Sequence, residues 1–242
     1  MEISPSFTLK SENTRSNHPL LPNNLRALIV GKSSSGKTTV LLNLLLREGW
    51  LDYENLFVFG KSLFQDEYKL LKECIEAGLS KKDTRNCYLG IVDSTERSNL
   101  SCEFFTEESD IPDPSELESK KNLFVFDDCL LGSQTKPESY YTRGRHSDCD
   151  CIYITQNYFK VPRQTVRENC NFLIIFPQDN KNLNHIHGDH ATDLSLKEFK
   201  EFCRIVWRNP RNFVVIDLTS GIENGKYRRN FTDFYFPNEL EQ

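Results

Sequence analysis

An α/β fold, a doubly wound and mainly parallel sheet with helices on both faces, is predicted by three features of the sequence. Residues 31–38 read Gly-Lys-Ser-Ser-Ser-Gly-Lys-Thr, the G-x-x-x-x-G-K-[ST] spacing of a phosphate-binding loop, set between a strand-length apolar run and a helix-forming run. The run Leu123-Phe124-Val125-Phe126 ends in Asp127-Asp128, a strand that carries carboxylates to the edge of a sheet where α/β proteins bind ligands. Short unbroken apolar runs alternate with stretches of helical spacing, as parallel strands covered on both faces require.

Each element has a local reason. Residues 1–21 are polar, lack periodicity and read as a flexible arm ahead of a domain over 22–220. Residues 25–30 form the first strand, bounded by Pro22-Asn23-Asn24, and 39–48 are rich in helix formers up to Gly49. Residues 54–59 make a second strand closed by Gly60. Tyr68, Leu71 and Ile75, with Leu70 and Cys74, have helical spacing ahead of Gly78. A further strand is expected at 87–92, and an acidic, proline-interrupted surface loop at 101–121. After the acid-ending strand and a polar stretch at 132–147, runs at 151–155 and 172–176 are strands, the second stopped by Pro177. Leu196, Phe199, Phe202, Cys203 and Val206 mark a helix over 193–207, and 213–218 is a late strand. Residues 221–242, basic and then aromatic, read as a C-terminal extension with an added hairpin.

A chain of 242 residues, 38% hydrophobic, can bury one sizeable core. No apolar stretch is long enough to span a bilayer, and the N-terminus has no charged-then-apolar leader, so no membrane partner or secretion is expected. The eight cysteines include no C-x-x-C pair, which fits reduced thiols in an intracellular compartment; Cys151 of Cys149-Asp150-Cys151 is expected to face a core. Seven acids crowd residues 101–119 without a base, so the net charge of −5 leaves the rest of the chain at +2. That leaves room for a local basic surface. His185, His187, Asp189 and His190 lack cysteine partners or an H-x-x-x-H frame, and read as a polar loop or packing element rather than a zinc site.

The phosphate loop carries the chemistry. Gly31 and Gly36 permit a tight turn, and the backbone of Lys32, Ser33, Ser34, Ser35 and Thr39 completes a cradle at a helix N-terminus. Lys37 is the cation for the β- and γ-phosphates of ATP, and the Thr38 hydroxyl is a ligand for Mg2+. Asp127 fits the acid that holds the same magnesium. Asp128 stands where a carboxylate polarises the attacking water. Gln156, after the strand at 151–155, suits a reporter between the γ-phosphate and that water. Arg143 and Arg145 lie between the two strands in sequence, and a guanidinium near the γ-phosphate stabilises transition-state charge. The guanine-reading Asn-Lys-x-Asp motif is missing, which argues against a GTPase.

Taken together, Phe124-Val125-Phe126-Asp127-Asp128, Arg143-Gly144-Arg145-His146, Tyr153-Ile154-Thr155-Gln156-Asn157, Pro162 and Arg167-x-Asn169 resemble the FtsK/HerA superfamily of P-loop ATPases. Within it they are most similar to the poxvirus-type genome-packaging ATPases of large DNA viruses, virophages and Polinton/Maverick-type elements. The resemblance covers residues 25–176, and more weakly 185–217. It implies a RecA-like (ASCE) domain with an added strand between the loop strand and the acidic strand. It further implies a homo-oligomeric ring, of five or six subunits, that threads double-stranded DNA into a capsid with capsid or portal components as partners, at a virus assembly site inside the host cell. Arg145 falls at the trans-acting finger of related motors, with Arg143, Arg163 and Arg167 as alternatives. Lys160, Arg163, Lys181, Arg208 and Arg211 are candidate DNA contacts. Many such motors carry Glu where this chain has Asp128, and the shorter carboxylate reaches less far. A helicase or conjugation-type DNA pump, and a non-hydrolysing nucleotide-gated scaffold, are the competing readings.

Overall fold

The computed structural model describes residues 15–91, 97–118 and 120–237. Most of the expected N-terminal arm, residues 1–14, and the last five residues of the C-terminal extension lie outside them.

Nine strands form one sheet in the order β3-β2-β4-β5-β1-β6-β7-β8-β9. Its centre is parallel: β1 (Arg26–Val30), β2 (Asn55–Gly60), β4 (Asn122–Asp127), β5 (Cys149–Thr155) and β6 (Phe172–Ile175). Here β5 sits between β1 and β4, the added-strand arrangement expected from the resemblance. β1, β4 and β5 are apolar along both faces because helices cover both. On one face α1 (Lys37–Leu46), α2 (Asp66–Glu76) and the short α3 (Lys81–Tyr88) pack through Leu41, Leu44, Leu45, Tyr68, Leu71 and Ile75 onto Ile29, Val58, Val125 and Ile154. On the other, α4 (Thr135–Arg143), α5 (Asn180–His190) and α6 (Leu196–Val206) bring Tyr140, Tyr141, Ile186, Phe199 and Phe202 onto Leu28, Phe126, Tyr153 and Leu173. Ser195 caps α6 through a reciprocal capping box with Glu198.

Several expectations change. Residues 87–92 are not a strand. Lys81–Tyr88 is helical, with Ser80 accepting from the Asp83 N–H at its start, and residue 92 lies outside the described residues. Within the acidic stretch, β3 (Ser101–Phe105) adds to the edge of the sheet in parallel with β2, and only the part after it is loop and short helical turns. β3 ends the strand order and none of its residues is fully buried, so an edge strand with polar positions was hidden in the charge of its surroundings. The histidine-rich stretch is the helix α5, started by Asp179, which accepts from the Asn182 N–H. Residues 15–21 are not free. Arg15 is buried and donates to the carbonyls of Asp52, Asn122 and Asp148, while Asn17 donates to Asp150. β7 (Val214–Asp217), β8 (Tyr227–Arg229) and β9 (Asp233–Tyr235) are antiparallel and continue the same sheet, with the expected hairpin formed by β8 and β9. All eight cysteines are unpaired, and Cys149 and Cys151 are buried in β5. No helix among the described residues is long and apolar enough to cross a membrane.

Candidate active site

Strand register creates the site. Val30 pairs with Thr155, Ile154 with Asp127 and Asp127 with Gly60, so four parallel strands end at one level. The segments that leave them share an edge: the phosphate loop, Gln156, Asp128 and residues 61–65. Two hydrogen bonds lock the edge, from the Gly31 N–H to the Thr155 carbonyl (3.0 Å) and from the Asp128 N–H to the Ile154 carbonyl (3.3 Å).

The loop needs its glycines. A Cβ on Gly31 would stand 2.4 Å from Ser35 Oγ and 2.8 Å from Phe176 Cβ, and Gly36 has φ +104°. Ser34 and Asp128 adopt left-handed backbone (φ 58° and 50°), a conformation that costs about 1 kcal/mol or more in a non-glycine residue and collects at functional sites. Lys37 opens α1, and its ammonium folds back to the Lys32 carbonyl (2.8 Å).

Ser33, Ser34, Lys37, Thr38, Asp127, Asp128, Thr155 and Gln156 line one cleft of about 250 Å³, together with Ser62 and Gln65. Burial lowers the Lys37 pKa against the pull of Asp127 and Asp128. Burial likewise raises the Asp127 pKa, helped by the Asp128 charge and opposed by a hydrogen bond from Tyr68 and by Lys37. The buried Ser35 hydroxyl has no partner among the described residues. An orphan hydroxyl, a flexible cation and loop amides at a helix N-terminus suit a phosphate chain. Two carboxylates beside a threonine hydroxyl suit a hard divalent cation with oxygen ligands. The donor set therefore fits magnesium-nucleotide, with Thr38 and Asp127 as the residues that would hold the metal.

Gly31, Lys32, Ser33, Ser34, Ser35, Gly36, Lys37, Thr38 and Thr39 form the expected loop, with Asp127, Asp128 and Gln156 beside it. The arginines are elsewhere. Arg145 precedes β5 and Gln156 follows it, so a seven-residue strand of about 20 Å separates them, and Arg145 lies at the opposite sheet edge, exposed. Arg143 pairs with Asp113, and Arg163 with Glu168 and Asp189. Arg167 is buried against Asp189 (2.6 Å) and over the Tyr158 ring, which removes it as a finger able to reach a neighbour. Ser62, Gln65, Thr155 and Tyr68 were not legible as site residues. Their one signal was position after, or at the end of, a strand whose register only the fold sets. Of the histidines of α5, His190 is buried near Cys170 and His187 Nε2 meets the Leu194 carbonyl.

A mainly parallel sheet with the phosphate loop, the acid-ending strand and an intervening strand ending in Gln156 defines a P-loop ATPase. The Poxvirus A32 protein family model matches residues 12–225, and the chain belongs to that family. No curated protein matches the sequence. Among solved structures, the genome packaging NTPase B204 of Sulfolobus turreted icosahedral virus 2 in complex with sulfate superposes with a TM-score of 0.56 at 11% identity, covering 88% of this chain and 98% of that one. Its complex with ATP-gammaS gives 0.54 at 10%, covering 86% and 97%. B204 of Sulfolobus turreted icosahedral virus, a DNA-packaging ATPase, gives 0.53 at 12%, covering 88% and 100%. These likenesses are of fold.

Proposed function

We infer that this chain is an ATP-hydrolysing motor that moves double-stranded viral DNA into a capsid. The observation that carries the reading is the single cleft in which Lys37, Thr38, Asp127, Asp128 and Gln156 converge in a chain of the A32 family. B204, of the same fold, is described as a packaging NTPase and has been solved with ATP-gammaS and AMPPCP, which supports ATP as the nucleotide.

In this reading the loop amides and Lys37 bind the triphosphate. Thr38 and Asp127 would hold a magnesium ion, which when bound would supply neutralising charge to the phosphate chain. Asp128, which lines the cleft on left-handed backbone, accepts a proton from the attacking water. Gln156 sits at the root of a segment, residues 157–163, that carries exposed Phe159, Lys160 and Arg163, so a change at Gln156 is transmitted over a few residues to a basic, aromatic surface. Lys181 lies over the Phe159 ring and Arg208 and Arg211 are exposed. These are the DNA-facing candidates. The working form is a homo-oligomeric ring, of five or six subunits, in which exposed Arg145 acts on a neighbour's nucleotide because it is a strand's length from its own. Capsid or portal components recruit the ring at the assembly site inside the host cell.

Phosphate release measured with and without long duplex DNA over a salt series tests the reading. A packaging motor is stimulated by duplex, and the stimulation falls steeply with salt. Preference for forks or single strands marks a helicase, and no turnover under any condition marks a scaffold. Either result overturns the proposal.

A further inference from the structure

Outside the loop and the strand-end acids, one buried side chain reaches into the reacting cluster. Tyr68, on the first turns of α2, is 1% exposed, and its hydroxyl donates to Asp127 Oδ2 at 2.5 Å. Two independent features bring it there. Gly60 pairs with Asp127 across β2 and β4, and a Cβ at residue 60 would stand 2.9 Å from the Asp127 carbonyl, so the end of β2 is built for close approach to that acid. The Gln65 carbonyl, at the start of α2, accepts from the Tyr68 N–H, so the turn that sends Gln65 into the cleft also fixes Tyr68 behind Asp127. Among the described residues Asp127 Oδ1 has no hydrogen-bond partner, so the carboxylate is held by one oxygen and open at the other.

We propose that Tyr68 is the positioning residue of the metal-binding carboxylate: its hydroxyl clamps Asp127 Oδ2 and keeps Oδ1 directed at the cation shared with Thr38. This deepens the magnesium-ATP reading and rests on it. A carboxylate pinned at one oxygen cannot rotate away from the cation or swing onto Lys37. Outer-sphere partners of this kind set ligand orientation, and their loss commonly costs 10- to 100-fold in metal affinity. The clamp also joins α2, whose N-cap residue Gln65 lines the cleft, to the acid that would hold the metal.

The test is Tyr68→Phe, which keeps the ring and removes only the O–H. Free Mn2+ is measured by electron paramagnetic resonance in titrations of the full chain with ADP, alongside ADP binding in EDTA. The expected result is Mn2+ binding weakened about ten-fold with metal-free ADP binding unchanged, and an ATPase whose Mg2+ requirement rises while its KM for ATP at saturating metal does not. Mn2+ affinity equal to wild type overturns the clamp, whatever the variant's melting temperature. If the wild-type chain itself binds no Mn2+ with ADP, the magnesium-nucleotide reading fails first, a distinguishable outcome. Should Tyr68→Phe not fold, 3-fluorotyrosine placed at residue 68 of the otherwise unaltered chain supplies a 19F resonance. Movement on adding Mg2+ with ADP, lost in Asp127→Asn, supports the clamp, and a resonance indifferent to the metal overturns it.

Discussion

Lys37 and Asp128 line one cleft but are tied to it differently. Lys37 is a flexible cation on a helix N-terminus, resting on the Lys32 carbonyl, and in the proposed function its charge goes to the phosphates. Lys37→Ala is expected to lower ATP turnover by at least about 100-fold, read as phosphate release. If Asp128 is the base proposed above, Asp128→Asn should cut kcat by about 100-fold or more and leave nucleotide affinity within a few-fold, read by equilibrium binding of a fluorescent ATP analogue. A third acid works far from the chemistry. Asp150 is fully buried in β5 and accepts from the Leu25 N–H and from Asn17, with Arg15 at 3.1 Å. Burial outweighs the Arg15 charge and raises its pKa to about 7, from 3.8. A carboxyl with a raised folded-state pKa contributes most below its unfolded value and loses that contribution as pH climbs toward 7. Melting temperature is therefore expected to fall between pH 5 and 7.5 in wild type. In Asp150→Asn the slope should flatten, the difference corresponding to about 1–4 kcal/mol at most.

At the scale of elements, the closest approaches of β1 and β2 to their neighbours decide the site. Gly60→Ala puts a methyl 2.9 Å from the Asp127 carbonyl, which must separate β2 from β4 just where Asp127 and Tyr68 meet. Reduced kcat with a smaller change in stability is expected, measured by steady-state kinetics beside thermal melts. The hairpin of β8 and β9 is a second such element. Arg228 is 2% exposed, bonded to Asp217 of β7 and to the carbonyls of Leu20 and Gly225, so the hairpin stitches the sheet to the segment leading into β1. Arg228→Ala should cost about 3–5 kcal/mol, seen as a lowered denaturant midpoint, because it strands the Asp217 carboxylate in the interior.

For the whole molecule, the geometry divides labour between two edges. The triphosphate cleft occupies the C-terminal edge of the parallel strands, and Arg145 the N-terminal edge. An arginine that far from its own cleft could reach a nucleotide only in another copy, the trans role proposed for it. Wild-type rings doped with Arg145→Ala subunits are therefore expected to lose duplex-stimulated ATPase faster than the wild-type fraction falls. Proportional loss removes Arg145 from the trans role. Oligomer mass measured with ATP and DNA present gives the subunit number on the same samples.

What the chain determined by itself is local: a loop whose spacing permits one turn and one cation, strands whose unbroken apolar runs require cover on both faces, and acids that must fall at a strand's end. The turn of such a loop needs only neighbours in sequence, so the course of Gly31 to Thr39 was legible, and Asp127 was legible from its place at the end of an apolar run. The α3 and β3 assignments were not, because a short polar helix and a half-exposed edge strand owe their form to the surfaces they cover. Nor was the pairing of Tyr68 with Asp127: at helical spacing Tyr68 reads as one more core side chain, and its hydroxyl finds the acid only through the register of β2 against β4. Tertiary structure alone put Arg145 and the cleft on opposite edges and Arg167 out of reach. Those facts depend on strand direction and burial, which follow from packing the whole sheet rather than from any one segment.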